Sequence, residues 1–380
     1  MKTNLFVMIS LCLMLFNFGC KKSPTENDND KNEPTKNKWE IVPELSTLSI
    51  RYILKHNETL YLSAVESGKN YKGIIWKTSN GINWTIVRTF EKVIGPMTTN
   101  GDTLYCLGDS LYRYIIPINK WENVCQPSPL TSDPEAMGDM IFVKDELYAM
   151  QSLFADAVAT YRIGFDGTVN SLPVYHGREF GGAKFIKSKT EIKETVYVRG
   201  QYYKYGFFTF DGNVFDPLKD GLTEFEYYNP PTNSLALKND TLFAGFMYPA
   251  VVKRLINNQW QNFTDTLPYS SSAFQFNPPI KTETTAITFV ENRMFVATQS
   301  IGVLEWEDNK GWKQISEGLI PDPLINNGYK DLFRPVVFLE TINGILIAAY
   351  GKPGYAQWGE YGVYHIDIKN ISSSNKLKAK

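Results

Sequence analysis

A turn followed by an aliphatic–aromatic pair recurs seven times along the chain. It reads NETLYLSA from position 57, GDTLYCLG from 101, DELYAM from 145 and KETVYVRG from 193. It continues as NDTLFAG from 239, ENRMFVAT from 291 and NGILIAAY from 343. The second member of the pair falls at Tyr61, Tyr105, Tyr148, Tyr197, Phe243, Phe295 and Ile347, about 40–50 residues apart, a period that points to radially repeated units.

Each copy has the same neighbours. A short apolar segment precedes it, such as SLALK at 234 or ITFVE at 287. A third segment follows, such as GIIWKT at 73, SLYRYII at 110, VVKRLI at 251 or GVLEWE at 302. After a tight turn comes a fourth, opened by Trp84, Trp121, Trp260 or Trp312, with TVNSL at 168 and NVFDP at 213 in the third and fourth copies. Four short strands per repeat is the pattern of a β-propeller blade. A pair of β-sandwiches also shows short alternating strands, but gives no reason for seven repeats in phase. The last repeat has its third strand, YGVYHIDI at 361, and no fourth. The first is preceded by KWEIV at 38, which reads as an orphan fourth strand. The expected fold is therefore all-β: a seven-bladed β-propeller closed by an N-terminal strand that completes the last blade. Closure of that kind removes exposed sheet edges.

The N-terminal end reads as export and attachment. Lys2 and the apolar run Leu5 to Phe16 have the order of a secretory signal. The run is shorter than the about 20 residues a spanning helix needs, although a retained anchor and a plain signal peptide are competing readings. The sequence LFNFGC, ending at Cys20, resembles the lipobox of bacterial lipoproteins, in the looser form of the Bacteroidota. The resemblance implies cleavage after Gly19, lipidation of Cys20 with acyl chains such as palmitate, and an outer-membrane location, periplasmic or outward-facing. Each buried methylene of such a chain adds roughly 0.8 kcal/mol of membrane affinity. Lys21 to Asn37 is polar and balanced in charge, a composition that cannot bury enough apolar area to fold. The expected organisation is signal peptide 1–19, lipidated cysteine and disordered linker 20–37, propeller 38–369 and a basic disordered tail 370–380.

KTSNGINW at 77 resembles the Asp-box turn of the sialidase-like (BNR) propellers, with Asn80 or Ser79 in the place of the aspartate and only this copy evident. In that family the box is a turn on the outer rim and implies no activity. Cys106 and Cys125 fall on the second and fourth strands of one blade, two strand spacings or about 9.5 Å apart. Disulfide geometry does not span that distance, so two free thiols are expected, one of them buried.

Strand order divides the connections between two faces. First-to-second and third-to-fourth turns share one face and are short. Second-to-third loops and the links between blades share the other, and are long and varied, as loops that carry function are. That face holds much of a large aromatic content, 22 Tyr and 23 Phe. The candidate binding residues are Tyr175, His176, Arg178, Tyr203, Tyr227, Tyr228, Tyr248, Phe276, Tyr355 and Trp358. Tyrosine offers rigid contact area with a polar tip, which suits sugar rings or apolar peptide side chains. The expected function is a membrane-tethered, non-catalytic binding face for a glycan or protein partner. The alternative is a carbohydrate-active hydrolase or lyase working through carboxylates such as Glu179, Glu224, Glu226 or Glu360 at the mouth. A net charge of −1 gives no reason to expect nucleic acid. No metal-ligand spacing or cofactor motif is present, and His56, His176 and His365 fall in three different repeats.

Overall fold

The computed structural model describes residues 38–66, 71–128, 130, 137–153, 157–172, 181–189, 194–201, 207–223, 234–247, 250–268, 284–308, 310–321, 332–351 and 362–371. They form seven four-stranded antiparallel sheets, the blades of a propeller. Blade 1 runs from the axis outward as Leu48–His56, Thr59–Glu66, Gly73–Thr78 and Thr85–Phe90. Each aliphatic–aromatic pair lies on a second strand. The seventh sheet is the composite one: Phe338–Ile342, Ile345–Ala349 and Val363–Asp367 come from the C-terminal end, and Glu40–Ile41 is its outer strand. Glu40 faces His365 and Ile41 faces Tyr364, the clasp expected from KWEIV and YGVYHIDI.

The hairpins between first and second strands are tight because their residues accept a positive φ. Asn239–Asp240 and Asn343–Gly344 do so at both positions, as mirror-image two-residue turns require. Lys144–Asp145 adopts the same conformation without the usual asparagine or glycine.

The core lies between blades. The seven buried apolar clusters correspond one to one with the seven junctions between neighbours, including Val42, Leu48, Leu62, Ile347 and Val363 between blades 7 and 1. Part of the aromatic surplus is absorbed here. Phe207, Phe246 and Trp260 pack together between blades 4 and 5, and Phe243 and Phe289 between blades 5 and 6. Between blades 1 and 2, the Arg88 guanidinium lies 4.7, 5.4 and 5.3 Å from the ring centres of Phe90, Tyr112 and Trp121, close enough for cation–π attraction.

Three of the tryptophans that open fourth strands, Trp39, Trp260 and Trp312, fasten their blade to the link before it. The buried indole N–H groups of Trp84 and Trp121 find no acceptor among the described residues. The Trp260 indole N–H donates to the Leu218 carbonyl at 3.0 Å and that of Trp312 to the Asp265 carbonyl at 3.2 Å. Trp39, only 2% exposed, donates to the Ile315 carbonyl in the same way. The backbone N–H groups of Trp260 and Trp39 reach the Asp220 and Glu317 carbonyls, both at 2.8 Å. The receiving segments share an acidic-Gly-Leu sequence, Asp220-Gly221-Leu222 and Glu317-Gly318-Leu319. Both glycines have positive φ, +81° and +93°, and a Cβ would lie 2.3 Å from the Trp260 carbonyl oxygen or 2.4 Å from that of Trp39. Glycine is needed twice over, for conformation and for close approach.

The turn at 78–84 is held by Asn80 and Thr78. Its side-chain oxygen accepts from the N–H groups of Ile82 and Asn83, at 3.0 and 2.9 Å, while Thr78 Oγ1 accepts from Gly81 at 2.9 Å. The third-to-fourth turns of blades 3 and 4 use a related device. Asp166 accepts from the Thr168 N–H and hydroxyl, and Asp211 from the N–H groups of Asn213 and Val214. Those bonds hold both carboxyls below the ordinary aspartate range. Cys106 and Cys125 are free thiols, the first buried and the second half-buried, as expected from their strand positions.

His365 gives the clasp a pH dependence. Burial lowers its pKa from the ordinary 6.5, and the nearby Glu40 charge opposes that shift only in part. Because the folded value lies below the unfolded one, the unfolded chain takes up the proton first as pH falls. The contribution of neutral His365 is therefore complete above about pH 6.5 and is lost as pH falls through the folded value. The carboxylates held low, Asp166, Asp211, Glu122, Glu146 and Glu307, lose theirs only further down. The urea midpoint is expected to drop between pH 7.5 and 5.5, and His365→Gln to flatten that slope. An unchanged slope in the variant would remove His365 from the account.

Candidate functional site

Topology assigns the two faces. On one lie the first-to-second and third-to-fourth turns, several of two residues. On the other lie the second-to-third loops and the links between blades, among them 126–136, 172–180, 218–234, 263–283, 315–337 and 350–362. All ten sequence-predicted binding residues belong to connections of the second kind: Tyr175, His176 and Arg178, Tyr203, Tyr227 and Tyr228, Tyr248, Phe276, and Tyr355 and Trp358. All ten lie outside the described residues, as do Cys20 and the loop carboxylates Glu179, Glu224, Glu226 and Glu360. The described structure supplies the strand ends that carry them.

Those strand ends are irregular in a consistent place. The innermost strands of blades 1, 3, 4 and 6 each shift register, between Ile50 and Tyr52, Met137 and Asp139, Gly182 and Lys184, and Thr284 and Ala286. The partners of the residues before the shifts, Ala64, Gln151, Gly200 and Thr298, stand at or near the loop-side ends of the second strands. Bulges bend a strand and re-aim the side chains beside them. Here they sit on the innermost strands, toward the ends that lead to the loop face.

Two of the residues just past a shift meet. The Tyr52 hydroxyl of blade 1 donates to Asp139 Oδ1 of blade 3, reaching past the inner strand of blade 2. Asp139 also accepts from the Met140 N–H through Oδ1 and from the Phe185 N–H of blade 4 through Oδ2, both at 2.7 Å. At 1% exposure, its charge is compensated by donors, as a buried carboxylate requires. The inner edge of each sheet presents unpaired backbone groups, and Asp139 satisfies one on blade 4. Lysines do the converse for carbonyls: Lys55 Nζ donates to Thr341 of blade 7 at 2.9 Å, and Lys187 Nζ to Phe142 of blade 3 at 3.0 Å. Burial foremost, then the Asp139 charge and hydrogen bond and the Glu340 charge, push the Tyr52 phenol well above its ordinary value. It keeps its proton and acts as a donor. The cluster is a fixed tie across three blades beneath the loop face.

Sequence reading missed Asp139, because a lone aspartate after glycine, in MGDMIF, carries the signature of a turn. A hollow of about 450 Å³ on the short-turn side is lined by Asn292, Arg293, Trp306, Glu307, Asp308 and Ile371. Its arginine is engaged by Glu305 and the Ile368 carbonyl. Among the described residues no group of three His, Cys, Asp or Glu could hold a metal ion. None of the described helices is long and apolar enough to cross a membrane.

No protein-family description matches the chain, and no curated protein does. Solved structures align with most of the chain, each at a TM-score below 0.5. The WD40 β-propeller domain of Doa1 is 9% identical, with 87% of this chain and 100% of that one covered, at a TM-score of 0.46. The β-propeller domain of Myceliophteria thermophila Cps50 (Swd1) is 11% identical, with 85% and 97% covered, at 0.48. The extracellular domain of a one component system from B. thetaiotaomicron is 13% identical, with 90% and 60% covered, at 0.35. Likenesses this distant carry nothing about function, and the fold rests on the strand pairing itself. The chain is an all-β seven-bladed propeller, its ring closed by pairing an N-terminal strand with C-terminal ones.

Proposed function

We propose that this protein is a lipid-anchored, non-catalytic binding platform of the outer membrane, which presents its loop face to a glycan or protein partner. The observation that carries the reading is the inequality of the two faces. Turns of two residues such as Asn239–Asp240 close one, while connections as long as 263–283 and 315–337 elaborate the other. Elaboration on one side of a rigid scaffold is the usual arrangement of a recognition surface. The Tyr52–Asp139 tie supports the reading, since it stiffens the floor from which those connections rise. The aromatic residues Tyr175, Tyr203, Tyr227, Tyr228, Tyr248, Phe276, Tyr355 and Trp358, with His176 and Arg178, are the proposed contacts. Cys20 is the proposed attachment point.

Two measurements test the parts separately. Cys20→Ser is expected to move the protein from the membrane to the soluble fraction, and continued membrane retention would refute the tether. The soluble domain, residues 38–380, is expected to bind a glycan on an array or to recover a stable protein partner. Cleavage of an arrayed glycan would replace the platform with an enzyme.

A further inference from the structure

The third-to-fourth-strand turns of blades 1, 2, 3 and 4 each expose one large apolar side chain: Ile82 at 43%, Ile118 at 64%, Phe165 at 46% and Val214 at 49%. The equivalent turns of blades 5 and 6 carry Asn257–Asn258 and Asp308–Lys310 instead. In blade 7 that position is where the chain arrives, at Lys38, because Trp39 is the counterpart of Trp260 and Trp312. Around the ring, the arrival point and the four apolar turns thus occupy consecutive blades, 7, 1, 2, 3 and 4, on the short-turn face. Single exposed apolar residues are ordinary. Four at one topological position, beside the point where the linker joins, form a pattern.

We infer that this arc docks on the phospholipid surface, with the loop face turned away from it. The inference rests on the proposed lipid anchor at Cys20. The turns are separate points along a rim, and a continuous deformable surface can receive isolated apolar side chains at its interface. A folded partner protein needs a contiguous patch. The linker 21–37 has an end-to-end distance of about 20–25 Å if flexible. Such tethering holds the arc at high effective concentration near the bilayer, so weak insertion is enough to orient the domain.

The test uses the full lipidated chain in vesicles of phosphatidylethanolamine and phosphatidylglycerol, in a Cys125→Ser background. An environment-sensitive fluorophore is placed at Ile118→Cys, Val214→Cys or, as a control, Asn258→Cys. Blue-shifted emission at 118 and 214, lost to a spin-labelled lipid, with position 258 unchanged, is the expected result. Water-like emission at all three sites in protein that floats with the vesicles would overturn docking and leave the anchor standing. Failure to float would refute the anchor, and the docking with it. A blue shift indifferent to the lipid quencher would mean that another copy of the chain covers the arc, and an equal response at 258 would remove its selectivity; either result overturns the inference.

Discussion

Trp39→Ala is expected to destabilise the full-length protein by about 3–5 kcal/mol, the range for emptying a buried tryptophan site. The side chain fills the junction of blades 6 and 7 with Phe295, Ile315, Leu319, Leu346 and Ile366. Its indole and backbone N–H groups both end on the preceding link. The loss is magnified by position, because the outer strand of blade 7 is only Glu40–Ile41. Beyond Trp39 it is held by that short pairing and by Val42, whose N–H reaches the Val363 carbonyl at 2.8 Å. Trp39→Phe keeps most of the volume and removes the indole bond, and should cost about 1 kcal/mol beyond any repacking. Chemical denaturation of both variants checks the pair. An alanine variant with a wild-type midpoint would show that the ring does not depend on this clasp.

The second large effect is expected at the axis. Asp139→Ala leaves the Tyr52 hydroxyl and the Phe185 N–H without their acceptor. The variant removes the charge and leaves two buried neutral donors unsatisfied, at about 1–3 kcal/mol each. Tyr52→Phe removes one donor and leaves the carboxylate its backbone bonds, so about 1–2 kcal/mol is the expected loss. The two changes together should cost less than the sum of the single effects, since both delete the same bond. Strict additivity in that cycle would mean that Tyr52 and Asp139 do not act as a pair in solution. If the tie also stiffens the floor of the loop face, ligand affinity should weaken in Tyr52→Phe at temperatures where the variant is still folded.

The architecture was legible because it is written in local chemistry repeated in phase. Turn residues such as Asn239–Asp240, the pair that follows them and the tryptophan opening a fourth strand all act within a few positions. The split blade could be read from what each end lacked. The inter-blade fastening was less visible. Asp220-Gly221-Leu222 and Glu317-Gly318-Leu319 resemble ordinary turns until a tryptophan carbonyl is found against each glycine. Asp166 and Asp211 escaped notice as relatives of the turn at Asn80, because they lack the flanking residues that mark that motif. Asp139 was illegible for a different reason: its partners come from blades 1 and 4, and no spacing in sequence encodes that meeting. On the loop face, Tyr227 and Trp358 lie outside the described residues, so residue type and topology alone nominate them.

The composite seventh blade also sets an order of assembly. Glu40 leaves the ribosome long before its partner His365, with six blades of chain made between them. At about 5–20 residues per second the wait is on the order of tens of seconds. Throughout that interval the third strand of blade 7 does not exist, and the N-terminal strand has no sheet to join. Six blades can gather as they emerge, but the circle can shut only after Val363–Asp367 has emerged, and a chaperone that shields residues 38–42 would govern when it does.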